Sequence, residues 1–354
     1  SHWLIANSVK IAVEQGNLGA EHLRPTPPAS MGGLESFLFQ QQGIAVGVAG
    51  LALWVISALL IIALIKKIPY RIFTKLHHWI SLAYLLIAFH AIVMFKFSYW
   101  SQPLGWVMAV LLVAGIYSSL VVLTRRIGKQ HKVQAELTHY DYHSDLKVIE
   151  ANFKLANGWQ GHEAGQFAFI TTSAKEGAHP FSIASAWDPK NPNLSFVAKE
   201  LGDYTQTLPT LAKLGGQVTI EGPYGQFTFK DDKPVQIWVA GGIGITPFIA
   251  RLQYLAQHPE QRAIYFFYST DKTEPNVMDR LTSVAKTAGI NFHLQLASRD
   301  GRLTADFIRE KVPNWQTASL WFCGPAGFGD ALHANFKAQG LKDSDFHQEL
   351  FEFR

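Results

Sequence analysis

Three long apolar stretches constrain this chain more than anything else in it. Gly43 to Ile65, Trp79 to Phe95 and Gly105 to Leu123 contain no Asp, Glu, Lys or Arg. A hydrocarbon core of about 30 Å is crossed by about 20 helical residues at about 1.5 Å each. The pattern predicts transmembrane helices over about 43–65, 73–97 and 103–124, the second reaching full length if its basic end snorkels. Composition agrees: charged residues make up 16% of the 354, against about 25% in ordinary soluble domains. The net charge of +4, with no long basic run, argues against nucleic acid as a partner. Cys323 is the one cysteine, which excludes an internal disulfide framework and a thiolate-only metal cluster. The start of the chain lacks the pattern of a signal peptide and reads as the middle of something longer.

Lys66, Lys67, Arg71 and Lys75 lie between the first two spans, and Arg125, Arg126 and Lys129 follow the third. The connection from Lys96 to Pro103 carries a single lysine. The excess of positive charge places the 66–75 loop and everything after residue 125 in the cytoplasm, with residues 1–42 starting outside. Arg24 to Ser30, with three prolines, reads as an extended external loop.

From Val133 the pattern changes to short alternating stretches, such as Leu146 to Leu155 and Phe167 to Thr171, divided by Gly, Asn and Pro. These are strand signals of an antiparallel β-barrel. From Val235, apolar strands (Val235–Ala240, Ala263–Tyr268, Phe292–Ala297, Ser319–Cys323) alternate with helical stretches (Pro247–His258, Val277–Gly289, Thr304–Lys311, Ala326–Gln339). That alternation implies a parallel, doubly wound α/β sheet. The expected organisation is a transmembrane α-helical region over 1–130, a β-barrel over 131–232 and an α/β domain over 233–354.

The strongest local motif is Val239-Ala-Gly241-Gly242-Ile-Gly244-Ile-Thr246-Pro247, which follows an apolar strand and opens a helix. Glycines there let a backbone approach a pyrophosphate, and the helix start offers free N–H groups. A lone glycine triplet is as often a structural turn, so the strand–glycine–helix context carries the inference. Cys323-Gly324-Pro325 ends the fourth strand, although a buried cysteine there is usually a small hydrophobe. His179-Pro180-Phe181-Ser182 and Gly222-Pro223-Tyr224-Gly225 fall in the barrel region, where either could be an ordinary turn.

In combination, HPFS, GPYG, GGIGITP, CGP and a terminal HQELFEF resemble the ferredoxin–NADP reductase superfamily over about residues 131–354. The resemblance implies an FAD-binding barrel followed by an NAD(P)H-binding domain. It implies that His179, Pro180, Phe181 and Ser182 line the isoalloxazine, with the Ser182 hydroxyl near N5, and His179 stands where many relatives have Arg. Lys199, Gly202, Thr205, Gly225 and Phe227 match positions that hold the FAD phosphates. Gly241, Gly242, Gly244, Thr246 and Pro247 match the NAD(P)H pyrophosphate loop, and Cys323 and Gly324 would face the nicotinamide. Phe351, with Phe353 as the alternative, matches an aromatic that covers the flavin and gates hydride transfer; Ser182, Cys323 and Phe351 would be the catalytic side chains.

Histidines within a membrane span default to a functional reading, although one of His77 and His78 is accounted for as an interfacial polar residue. HHWISLAYLLIAFH resembles the second haem-binding helix of the NADPH oxidase and ferric reductase transmembrane family, in which histidines thirteen apart ligate two stacked haems, as His77 and His90 are spaced. Thirteen residues rise about 20 Å, one haem b near each face, and turn by roughly 140°. The family resemblance, and not helical periodicity, therefore carries the pairing. It implies that His2 partners His90, that the partner of His77 precedes residue 1, and that the chain is a fragment lacking about two and a half N-terminal spans.

The two resemblances together imply a bacterial inner-membrane enzyme. Electrons would pass from cytoplasmic NADPH or NADH through FAD and two bis-histidine haems to ferric chelate or dioxygen outside, with a slight preference for the ferric reductase. A membrane subunit donating to a periplasmic partner protein is the alternative, and a haem sensor leaves the nucleotide motifs idle. Ser269, Lys272 and Arg299 suit a 2′-phosphate, whereas Asp271 opposes it, which leans weakly towards NADPH.

Overall fold

The computed structural model describes residues 11, 15, 32–65, 75–173 and 176–349. His2, Leu350, Phe351 and Phe353 lie outside them. The chain divides between Ile127 and Gly128 into two compact units.

The first unit holds three helices long and apolar enough to cross a membrane: Gln42–Leu64, Lys75–Met94 and Pro103–Leu123. A short helix, Gly33–Gln40, precedes them. Buried positions fall seven apart on the first long helix (Ala45, Ala52, Leu59) and on the third (Gly105, Leu112, Ser119). Such a repeat keeps one narrow seam against a neighbour, and small residues on it let backbones approach. Elsewhere these helices carry exposed large apolar side chains, as at Trp54, Trp106, Val110 and Tyr117. The central helix contacts both neighbours through polar side chains. Tyr84 donates to the Leu111 carbonyl at 3.4 Å, and Gly115 leaves the room its phenol needs. The expected second span ran to Phe97, but the helix stops at Met94. Phe95 is extended and its ring packs edge-on against Tyr99 and Trp100 at 5.7 and 4.8 Å. A 3-10 turn, Phe97–Ser101, then leads to Pro103, whose ring forces Gln102 out of the helical region.

The second unit opens with six antiparallel strands: β1 (Lys132–His143), β2 (Val148–Leu155), β3 (Phe167–Thr171), β4 (Ala178–Ser182), β5 (Asn193–Lys199) and β6 (Gln217–Tyr224). Their order is β4-β3-β6-β1-β2-β5. An Ile183–Phe196 bridge joins the two ends, so the sheet closes as a barrel. Alternation fills it: Val133, Ala135 and Leu137 from β1 meet Leu194 and Phe196 from β5 inside.

Five parallel strands follow: β7 (Val235–Gly241), β8 (Ala263–Thr270), β9 (Asn291–Leu296), β10 (Ala318–Cys323) and β11 (Phe346–Glu349), in the order β11-β10-β7-β8-β9. Strands β7 and β10 are buried at every position, as continuous apolar runs covered on both faces must be. Helices Thr246–Gln257 and Pro275–Thr287 pack one face through Phe248, Leu252, Leu281 and Ala285. Helices Ala305–Lys311 and Ala326–Ala338 pack the other through Ile308, Leu332 and Phe336. The fifth strand comes from the HQELFEF segment, too short and polar to announce itself by pattern. Phe227 and Phe229, just past the barrel, pack on Phe248 and Trp321 within the core on one face of the sheet.

Candidate functional site

Strand β7 connects onward to β8 on one side while its other neighbour, β10, connects onward to β11, so the connections from these two carboxyl ends run in opposite directions. Open α/β sheets bind ligands at that point. A cleft of about 1280 Å³ opens there, lined by Gly241 to Gly244, Gly324, Ser269 to Lys272 and Arg302, with His143, Glu150 and Lys199 from the barrel across from them.

The glycines are needed for two separate reasons. Gly242 takes φ +56° and a β-carbon on it would meet nothing within 4 Å, so its backbone faces open space. Gly244 has no room for a β-carbon, because the Cys323 carbonyl fills that position. A 3-10 turn over Gly242–Ile245 then delivers helix Thr246–Gln257, whose first N–H groups lack helical partners. Thr246 is 2% exposed and its hydroxyl donates to the Ile243 carbonyl at 2.9 Å. Thr246 and Pro247, expected in the pyrophosphate loop, are buried and shape the turn, and neither lines the cleft.

Cys323 departs from expectation in the same way. It is fully buried in the centre of the sheet, and Gly324, not its thiol, lines the cleft. Burial, with the Glu349 carboxylate beside it, pushes the thiol well above the usual range. Burial also raises the Glu349 carboxyl.

On the barrel, Pro180 is accommodated because β4 is a terminal strand of the hydrogen-bonded order. Ser182 ends that strand opposite Phe167 and is buried. The His179 ring stacks on Tyr204 at 3.7 Å between centroids and 8° between planes. Its Nε2 is buried with no partner among the described residues. Burial lowers the imidazole pKa against the opposing pull of Glu176. Phe181 is tilted against Tyr204 at 6.5 Å between centroids. Nothing in the motif pointed to Tyr204; contact between residues 179 and 204 is tertiary.

Gly202 caps helix Asp203–Leu211, and the Thr205 hydroxyl receives the Leu201 and Gly202 N–H groups at 2.9 and 3.0 Å. Thr205 thus builds the turn that presents this helix start. Gly225 takes φ +103° against the Phe167 ring, while the Phe227 side chain is 3% exposed and belongs to the core, not to a phosphate site. Two polar pairs bridge barrel and nucleotide domain at the rim of the cleft: the hydrogen-bonded His143–Glu274 and the ion pair Arg280–Glu150, each at 2.8 Å.

Arg299 is engaged by Asp300 through Nε and Nη2 at 2.7 and 2.8 Å, which turns it away from the role the sequence suggested. Arg302 lines the cleft instead, with no ion pair among the described residues. In the helical unit, His77 and His90 share the central helix, and His90 Nδ1 lies 3.0 Å from the Ala45 carbonyl oxygen.

Residues 133–228 match the family described as FAD-binding domain. The second unit carries this match and has the fold of ferredoxin-reductase-like modules. The module is 26% identical over 196 residues to the toluate 1,2-dioxygenase electron transfer component of Pseudomonas putida, covering 53% of this chain and 58% of that protein. A flavohemoprotein of Oceanobacillus iheyensis is 23% identical over 163 residues, covering 43% of this chain and 40% of that one. The chain thus spans 58% of the length of the first relative and 40% of the second. In fold, the module resembles the flavohem-like FAD/NAD-binding domain of nitric oxide dioxygenase from Vibrio cholerae, with TM-score 0.54 and 18% identity over 62% of this chain and 98% of that one.

Proposed function

We propose that this chain is a membrane-bound NAD(P)H oxidoreductase that sends electrons from the cytoplasm to an acceptor on the outer face. The observation that carries the reading is the cleft at the β7–β10 switch point, with the glycine turn on one wall and Lys199 of the barrel on another. Bound FAD supplies the change from two-electron hydride chemistry to single electrons, and bound haem b the single-electron carriage.

The residues present fit these groups. The open backbone at Gly242 and the following helix start offer N–H donors to the NAD(P)H pyrophosphate. The partnerless Nε2 of His179, with the capped helix start at Gly202, suits the anionic or carbonyl edge of FAD, and Ser182 supplies a hydroxyl at the end of the same strand. Arg302 and Lys272 offer positive charge for a 2′-phosphate, favouring NADPH, with Asp271 in opposition. Neutral imidazole is a normal iron ligand, and His77 and His90 stand thirteen residues apart on one span. The family resemblance assigns Phe351, or Phe353, to the aromatic that covers the flavin and His2 to the partner of His90, with Phe351, Phe353 and His2 all outside the described residues. The basic flanks support a cytoplasmic reductase in a bacterial inner membrane.

Ferric chelate and dioxygen are the proposed acceptors. A second reading, donation to a periplasmic protein, is favoured by the relatives named as electron transfer components of dioxygenases. Full-length protein in lipid nanodiscs decides between them. Oxidation of NADPH with ferric chelate or oxygen alone supports the first reading, and its absence supports the second. A purified protein with flavin absorbance but no low-spin haem bands would sink the haem assignment.

A further inference from the structure

His90 lies one turn before the end of the central helix of the membrane unit, and its ring reaches the backbone of a different helix. A carbonyl oxygen only accepts, so the Nδ1 that lies 3.0 Å from the Ala45 oxygen must carry the proton. In the neutral ring, Nε2 then holds the lone pair and is the nitrogen free to ligate a metal. The Ala45 oxygen has a second lone pair, so its own helical hydrogen bond need not break.

The approach is built into the seam between the helices. Ala45 has no exposed surface and begins the buried series Ala45, Ala52, Leu59 on Gln42–Leu64. A methyl side chain at that position lets the imidazole reach the backbone, and the glycines at 43 and 47 add no bulk around it. Polar glue between helices is one use of such a contact. A histidine that ligates iron has another: a hydrogen bond to its distal N–H fixes the tautomer and ring plane and makes the ligating nitrogen more basic.

We propose that the Ala45 carbonyl is a positioning group for His90, presenting Nε2 to haem iron and lowering the reduction potential of the haem that His90 holds. The inference rests on the haem reading above. A more electron-rich imidazole stabilises ferric over ferrous iron, so the potential of that haem falls while the bond is made and rises when it is lost. The haem on His77, on the same helix, feels no such change and serves as an internal reference.

The test is potentiometric titration of full-length protein in nanodiscs, followed by haem absorbance. Ala45→Leu should raise the potential of one haem and weaken its retention about 10–100-fold, the usual cost of losing such a partner. Ala52→Leu adds the same bulk one repeat away on the same seam; it should reduce stability and leave both potentials in place. If Ala45→Leu fails to assemble, His90→Gly refilled with imidazole or with 1-methylimidazole makes the same comparison, because the methylated ligand has no N–H to donate. A higher potential with 1-methylimidazole is expected. Equal potentials with the two ligands, or equal shifts in Ala45→Leu and Ala52→Leu, overturn the proposal while leaving the haem reading intact. A wild-type protein without haem bands overturns both.

Discussion

The carbonyl oxygen of Cys323 occupies the space where a β-carbon on residue 244 would stand. The turn that follows β7 and the end of β10 therefore meet backbone to backbone at the floor of the cleft, and glycine is the residue that permits it.

Gly244→Ala should displace the Gly242–Ile245 turn from Cys323 and Gly324. Overpacking of this kind costs about 1–3 kcal/mol. The expected result is a lower melting temperature and at least a tenfold rise in KM for NAD(P)H, with flavin content near that of the wild type. Steady-state kinetics with flavin quantitation measures both. Wild-type KM in the variant would mean that the turn does not hold the nucleotide.

Arg302→Ala should raise KM for NADPH about tenfold or more and change KM for NADH little, since a hydrogen bond to a charged group contributes about 1.5–3 kcal/mol. Arg299→Ala should leave that ratio unchanged, because its guanidinium already serves Asp300. The opposite pattern would return the phosphate site to Arg299.

Asp231 lies beneath the sheet, its side chain 10% exposed. Burial alone raises its carboxyl, but Ser319, the Lys233 backbone N–H, Gln236 and Trp321 outweigh burial and hold it below the ordinary value. A depressed folded pKa gives stabilisation that is present above the unfolded value of about 3.9 and lost as pH falls through the folded pKa. Asp231→Asn should cost about 1–3 kcal/mol at pH 7, and the gap to wild type should narrow below about pH 4. Thermal melts across pH check this, and a constant gap would exclude the carboxylate as its source.

Cys323 should resist alkylation by iodoacetamide at pH 8 in the native protein and react once it is unfolded. Burial keeps it protonated, and the thiolate is the reactive form. Mass spectrometry of labelled peptides reads the outcome; rapid native labelling would place the thiol in the open cleft.

The His143–Glu274 and Arg280–Glu150 pairs bridge barrel and nucleotide domain while partly open to water. Each is worth about 0.2–1 kcal/mol. The double variant Glu274→Gln, Glu150→Gln should lose about the sum at low salt and less at 1 M NaCl, where the screening length is about 3 Å. Denaturant melts at two salt concentrations measure it.

What was legible in the sequence follows from local physics. Charge-free runs of about twenty residues mark the membrane-length helices; alternation marks the barrel strands, and unbroken apolar runs mark β7 and β10. The glycine turn was legible too, because a positive φ at Gly242 and the lack of space at Gly244 each select glycine. What the side chains do within those motifs was less so. Thr246, Phe227 and Cys323 have residue types suited to a site, yet each is consumed by packing or by the turn itself.

The sequence by itself determined the order of the parts and the places where backbone must come close, since both depend on residues near one another in the chain. Tertiary structure alone decided the partners: Tyr204 on His179, Asp300 on Arg299, and the Ala45 carbonyl on His90. Asp300 is adjacent to Arg299 in sequence, but its carboxylate is aimed by the loop that leaves β9, with Leu296 N–H bonded to it at 3.0 Å. The other two pairs span 25 and 45 residues, and no local pattern encodes a contact that exists only after the barrel has closed or two helices have packed.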